Sequence, residues 1–452
     1  MPYAIDLFCG AGGCSEGLIQ AGFHILFSSD ISDMVEVTYR YRHEQLGLIQ
    51  GQNTWFERAD IKNLHGDFIS QKIGELEMFN NQKIPEIDLV IGGPSCQGFS
   101  RAGRRDKDDP RNLLFGEYVR VINEVKPKYI VLENVEGFMD MQFLGYKGLN
   151  LYDEAGNLVE EGPVYPDGSV TPVILRSELN RIGYDTLEPR ILNAADYGVP
   201  QRRNRVIFIG YRRNLPAPDY PLPTVPKEQQ ITLRDAIGDL INDVNLRNRV
   251  NQNLSDYQRD SRVGRTPSFI TGKPIPCDRR HLQNLELPNS TDVVLERFDL
   301  FNQGESGSIL RKRIKEQGID ITGKNSLIQL CCDKLNMQPN DVIELFRTKN
   351  TPDKAIDILL TKKNIRQRLN SVELSPTVVT LPDDYINPWE ARTISVREMA
   401  RCQSFDDSFE FLGKRTTGGL KRRIEVPQCT QVGNAVPPLL ARAVALEIIK
   451  VL

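Results

Sequence analysis

Residues 3–30 read YAIDLFCGAGGCSEGLIQAGFHILFSSD, and this stretch decides the fold. An apolar run, YAIDLF (3–8), stops at a glycine-rich turn; a helical pattern, SEGLIQAG (15–22), follows, and a second apolar run, HILFSSD (24–30), closes the unit. Strand, helix and strand in such close succession predict a βαβ unit, whose right-handed crossover makes its two strands parallel. Gly10, Gly12 and Gly13 permit a tight strand-to-helix turn and let a ligand approach the main chain. The spacing GAGG departs from GxGxxG, so by itself the turn supports a plain turn and a nucleotide-type site about equally. Asp30 ends the second run, where an acid that holds a ribose hydroxyl sits in such folds.

The same rhythm continues to Arg213. IDLVIGG (87–93), KYIVLENV (128–135), YDTLEPRIL (184–192) and RVIFIGYR (205–212) read as further strands, and Asp60 in ERADI could end a third one. Between them, LLFGEYVRVINEVKP (113–127) repeats Leu114, Tyr118, Val121, Ile122 and Val125 at helical spacing and stops at Pro127. The pattern predicts an α/β fold with a Rossmann-like, doubly wound, mostly parallel sheet that binds ligands at the carboxyl ends of its strands. Residues 145–170, with the turn signals AGN and PDG, read as a hairpin-bearing insertion. After Arg213 the proline-dense PAPDYPLPTVP (216–226) reads as a linker, and the rhythm is lost over 227–390. Within that region 305–368 looks helical and basic, bracketed by RKRIK (311–315) and KKNIRQR (362–368). The periodicity of 431–452 predicts one terminal helix, placed to rejoin the first domain.

At 452 residues the chain can bury a large core and form two domains. The formal net charge of −3 means that a nucleic-acid partner needs a local basic patch. No run approaches the roughly 20 apolar residues of a membrane span. The start of the chain lacks a basic segment and cleavage site, so a cytoplasmic protein is expected. The eight cysteines are scattered, two of them adjacent (Cys331 and Cys332), without CxxC spacing; reduced thiols and no metal site are expected.

Four short segments carry chemistry. In GGPSCQGFS (92–100), Cys96 sits in a glycine-framed loop at the end of an apolar strand, followed by the basic RAGRRDKDDPR (101–111). A core cysteine needs no such frame; a reactive thiolate in an open, electropositive site does. Glu133 in LENV ends another apolar strand, where a carboxylate is costly unless it is paired or at the cleft. QRRNR (201–205) sets Arg203 and Arg205 on one face if the strand starts early. VGNAVP (432–437) alone is only a good turn.

In this order these segments resemble the cytosine-C5 DNA methyltransferase family. The matching pieces are DLFCGAGG, GGPSCQGFS, ENV, ADYGVPQRRNRVIFIG (195–210), RTISVREMARCQSF (392–405) and QVGNAVP. They leave uncovered the insertion at 145–170 and the region around 245–370. The resemblance implies S-adenosyl-L-methionine as cofactor, bound by Phe8, Gly10, Gly12, Asp30, Asp60, Ile61, Pro94, Leu114, Asn434 and Val436. It implies Cys96 as nucleophile, Glu133 as the acid, and Arg203 and Arg205 as the paired arginines. It also implies a catalytic domain over 1–213, a smaller inserted target-recognition domain over 214–413, and a segment over 414–452 that returns to complete the catalytic domain. The partner implied is double-stranded DNA, bound by a monomer, with base flipping, a closing loop from Ser100 to Arg111 and phosphate contacts from 311–368. A cognate restriction endonuclease belongs to the same expectation. The sequence departs from the family at PSC for PPC, QSFDD for QSFPD, and INP (386–388) for IHP. The rival readings are a tRNA cytosine-5 methyltransferase, whose known branch carries a CFT tripeptide that is lacking here, and a catalytically inactive nucleic-acid-binding regulator.

Overall fold

In the computed structural model of the chain, the residues described are 1–79, 84–94, 113–153, 155–417, 419, 421 and 424–452. The first half alternates β1 (Tyr3–Leu7), α1 (Gly13–Ala21), β2 (His24–Asp30), α2 (Asp33–Leu46), β3 (Trp55–Arg58), α3 (Gly66–Gly74) and β4 (Leu89–Gly92). It continues with α4 (Leu114–Val125), β5 (Tyr129–Asn134), α5 (Thr171–Arg181), β6 (Tyr184–Thr186), β7 (Arg190–Asn193) and β8 (Asn204–Arg212). These eight strands form one sheet in the order β6-β8-β5-β4-β1-β2-β3, with β7 also paired to β8. β1 to β5 are mutually parallel, and β8 runs antiparallel to β5.

The period-two pattern of the strands explains why the sheet is covered on both faces. Ile5, Val90, Ile130, Leu132 and Phe208 point into one core with α3, α4 and α5. Their neighbours Ala4, Leu89, Ile91, Tyr129, Val131 and Ile209 point into the other, with α1 and the C-terminal helix Pro438–Ile449. The terminal segment is two helices rather than one: Gln428–Asn434 packs in the core around helix Val396–Cys402, and Pro438–Ile449 rejoins the first half. By length and composition Gln428–Ile449 would suit a membrane span, a property the sequence reading did not register; in the fold more than half of its tested window is buried.

Two glycines on α1 admit this helix. A Cβ at Gly13 would lie 2.1 Å from the Val436 carbonyl oxygen, and one at Gly17 would lie 2.5 Å from the Ala441 Cβ. Gly17→Val is thus expected to force the terminal helix off α1 and destabilise the protein by about 1–3 kcal/mol, an overpacking cost. Urea unfolding checks this, through a lowered midpoint at unchanged slope.

Two local expectations are corrected. YDTLEPRIL is two short strands, Tyr184–Thr186 and Arg190–Asn193, because Pro189 cannot donate to a ladder. Asp60 does not end a strand: β3 stops at Arg58, and the Asp60 carboxylate caps the turn Ile61–Asn63 by accepting from Lys62 N at 3.1 Å. The insertion is a hairpin as expected, Leu151–Tyr152 against Leu158–Glu160, its base closed by Gln142–Phe143 against Ser169–Val170.

Residues 227–411 build two further cores. Helices Asp292–Asp299, Gly307–Gln317, Asn325–Leu335, Pro339–Arg347 and Asp353–Leu360 enclose one. The other gathers around helix Val396–Cys402, which carries two fully buried arginines. Arg401 is neutralised by Asp407 at 2.6 Å and Asp239 at 3.1 Å, and Arg397 donates to the carbonyls of Asp406 and Phe409. Buried guanidinium groups need such full satisfaction, which explains the charge density of RTISVREMARCQSFDD. Asn387 of INP is buried and donates to Glu398 at 3.0 Å, beside the Ser395–Glu398 capping box.

Candidate active site

The floor of the site is the β1–α1 turn. Phe8 and Gly10 take left-handed backbone angles, φ +54° and +51°, a conformation that non-glycine residues adopt only under constraint. The constraint comes from β2: Cys9 N donates to Ser29 O, and Gly10 N to Asp30 Oδ2, both at 3.0 Å. The other Asp30 oxygen accepts from Ser32 N at 2.9 Å, so one carboxylate fixes both the turn and the entry to α2. Desolvation pushes the Asp30 pKa up, and these backbone donors oppose it. Beneath the turn, Ser15 Oγ donates to the buried Asp6 carboxylate at 2.6 Å, and the Tyr39 hydroxyl contacts both Ser15 and Ser28. Burial raises Asp6 to about 7.

A cavity of about 450 Å³ opens over this floor, at the carboxyl ends of the parallel strands. Phe8, Gly10, Asp30, Asp60 and Ile61 line one part of it; Pro94, Leu114, Asn434 and Val436 also line it. Nine of the ten residues expected at the cofactor are thus gathered in one cavity. Gly12 is not on its wall. It caps α1 at φ +101°, and a Cβ there would meet the Tyr39 ring at 3.2 Å. Its contribution is the turn itself.

Glu133, Arg203 and Arg205 line the same cavity. Glu133 is the next-to-last residue of β5, and Arg205 reaches it from two residues before its cross-strand partner Ile207, Nε to Oε1 at 2.7 Å. Burial raises the Glu133 pKa above the ordinary carboxylate range; the cations of Arg205 and Arg203 offset part of that shift. Arg203 is 1% exposed and lies just before β8 begins. Its guanidinium donates to the carbonyls of Val378 (3.2 Å), Gly433 (2.9 Å) and Ala435 (3.1 Å). Besides lining the cavity with Arg205, it braces the VGNAV wall.

Sequence reasoning missed three supports. Gln201 donates to Gln403 Oε1 at 2.8 Å and accepts from Val378 N at 2.7 Å, and Gln403 donates to Val432 O at 2.7 Å. Asn134, next to Glu133, donates to Pro94 O at 3.0 Å and so holds the start of the thiol-bearing loop. Cys96 and the Ser100–Arg111 loop lie outside the described residues. The described cysteines on the cavity wall, Cys9 and Cys14, are buried, which raises both thiol pKa values well above the usual range.

The profile of C-5 cytosine-specific DNA methylases matches residues 3–147 and 165–450, nearly the whole chain. The chain belongs to the C-5 cytosine-specific DNA methylase family. It is 31% identical to the type II methyltransferase M.XorII of Xanthomonas oryzae pv. oryzae, over 100% of this chain and 85% of that one. It is 30% identical to the type II methyltransferase M.AgeI of Thalassovita gelatinovora, over 99% of each. A solved structure of an E. coli prophage protein, described as a DNA modification methyltransferase, superposes with a TM-score of 0.60 at 21% identity, covering 100% of this chain and 99% of the other. That likeness bears on the fold.

This DNA (cytosine-5) methyltransferase therefore combines a cavity floored by a glycine turn with an acid–arginine pair on the same wall. The unmatched residues 148–164 contain the exposed hairpin, an addition to the methylase core. Much of the positive charge expected to contact phosphates is engaged within the helical region. Arg311 pairs with Asp357 and Lys315 with Asp353, both at 2.7 Å, and Arg313 pairs with Glu305 at 2.8 Å.

Proposed function

We propose that this methyltransferase carries a methyl group from S-adenosylmethionine to C5 of a cytosine flipped out of double-stranded DNA, through a covalent bond between Cys96 and C6. The observation that carries the reading is the single cavity that joins the glycine turn and Asp30 to the Glu133–Arg205 pair. A donor and a base held there would lie side by side, which is what group transfer between them requires.

The residues present fit the donor. Gly10 keeps the backbone slim at the floor, Phe8 adds an aromatic residue to the wall, and the Asp30 and Asp60 carboxylates supply acceptors for ribose hydroxyl and amino groups. Pro94, Leu114, Asn434 and Val436 supply the remaining walls. The bound donor supplies an electrophilic methyl group; everything else is done by the chain. Cytosine C5 is a poor nucleophile in an aromatic, electron-poor ring. Attack of the Cys96 thiolate on C6 breaks the aromaticity and makes C5 an enamine carbon. Negative charge then grows on the ring. Glu133, whose carboxyl burial pushes toward its protonated form, hydrogen-bonds N3, and Arg205 meets O2. Arg203 holds the wall behind them. After transfer a base takes the C5 proton and the thiol is expelled.

Only Ser95 separates Cys96 from the cavity-lining Pro94, a reach of about 7 Å at full extension. A base inside a duplex cannot enter such a cavity, so the target must leave the stack, at a cost of a few kcal/mol. Residues 214–413 serve as the recognition domain in this reading, with the separate helical core of 292–360 as support, and 414–452 returns to the catalytic domain. Similarity to type II methyltransferases supports a role of restriction-modification type; a cognate endonuclease, a place in the cytoplasm of a prokaryote and action as a monomer on DNA belong to the same proposal.

Incubation with methyl-labelled S-adenosylmethionine and either duplex DNA or tRNA tests the proposal. Label is expected in DNA, and bisulfite sequencing should place it at C5 of cytosine in one recurring sequence. Label in tRNA alone would overturn the DNA assignment.

A further inference from the structure

Between helices Val396–Cys402 and Gln428–Asn434 the chain makes an excursion tied at its neck. Gln428 N donates to Lys414 O at 3.0 Å, Cys429 N to Arg415 O at 3.1 Å, and Gln428 Nε2 to Gly413 O at 2.8 Å. Of this strap, residues 414–417, 419, 421 and 424–427 are among those described. Its returning limb reaches the cavity, where Ile424 and Val426 form part of the wall. Ile424 is 82% exposed, a large aliphatic side chain held at a cavity without a covering partner among the described residues.

The strap is built to hold it there. Ile424 N and Glu425 N both donate to Lys421 O, at 3.0 and 2.9 Å, which sets the direction of the limb. The side chain of Glu425 goes to the strap's own outgoing limb, where it pairs with Lys414 and accepts from Thr417 Oγ1 at 2.7 Å. Val426 O accepts from Gln431 Nε2 at 3.1 Å, which ties the limb to the following helix.

We propose that Ile424 and Val426 are donor-binding residues: they cover the apolar face of S-adenosylmethionine in the cavity, and the Glu425–Lys414–Thr417 cluster keeps the strap in register for that contact. The inference rests on the donor reading above and extends it to a segment outside every motif of the family resemblance. An exposed aliphatic side chain gains nothing until a ligand with an apolar surface, such as a purine ring, removes it from water. The contact therefore strengthens donor binding without stabilising the empty protein.

Calorimetric titration with S-adenosylhomocysteine tests this on the full chain. Ile424→Ser is expected to weaken binding about 10-fold, the effect of one well-covered aliphatic group. Ile424→Leu should bind like the wild type, and the melting temperature of the ligand-free protein should not change, because the side chain is exposed. Equal affinity of the wild type and Ile424→Ser would overturn the strap's role. Failure of the wild type itself to bind would overturn the donor reading, and the strap's role with it.

Discussion

Cys96→Ser is expected to abolish methyl transfer, by about 10⁴-fold or more, the scale of losing a covalent nucleophile. A serine hydroxyl at this position has a far higher pKa than a thiol and is a poor nucleophile without an adjacent base. No other thiol on the described wall can take over. Cys9 and Cys14 line the cavity, but burial, together with the negative charge of Asp6, holds them in the unreactive protonated form. Binding of S-adenosylhomocysteine should stay within about twofold of wild type, because the donor's proposed contacts lie on the floor and other walls. A second measurement separates chemistry from folding. In DNA carrying 5-fluorocytosine at the target, the C5 substituent cannot leave as a proton, so the wild type should be trapped in a denaturant-resistant complex. The serine variant should not be trapped. Turnover within tenfold of wild type would rule out the covalent route.

Much of the catalytic half was legible because its signals are local. The unbroken apolar runs in IDLVIGG and KYIVLENV present apolar side chains to both faces, which is the physical cause of a sheet covered on both, and each run became a strand. Asp30 and Glu133 were legible for a related reason, since strand ends in this fold meet one cleft. What was not legible depends on partners far apart in sequence. Arg203 and Arg205 look equivalent in QRRNR, yet one braces carbonyls of residues 378, 433 and 435 and the other faces Glu133. Gln201 meets Gln403 across two hundred residues, and no periodicity announces such a pair. Glycine serves both close approach and turns, and the packing of the Tyr39 ring against Gly12 could not be read from the sequence. The basic look of 311–368 hid a further feature, since composition does not reveal that Arg311, Arg313 and Lys315 each have a carboxylate nearby.

The Glu133–Arg205 pair should govern the pH dependence, and the sign follows from the roles assigned to it. Glu133 acts in its protonated form, as the donor to N3. Burial raises its pKa, so the active form persists to higher pH than it would for an exposed glutamate. Single-turnover rates should therefore fall as pH rises through the Glu133 pKa. Glu133→Gln should lower the rate about 10²- to 10³-fold, the usual cost of one lost charge-stabilising donor, and should remove that falling limb. Arg205→Ala should produce a loss of similar size with the opposite effect on the profile. The Arg205 cation beside the carboxylate favours its ionised form. Removing the cation lets burial act with less opposition, and the limb should move to higher pH rather than vanish. Arg203→Gln should shift the limb in the same direction as Arg205→Ala, but it should also weaken S-adenosylhomocysteine binding, because Arg203 holds the Gly433 and Ala435 carbonyls that frame Asn434. Should the falling limb survive in Glu133→Gln, the titrating group is another residue and Glu133 is only a neutral positioner of the base.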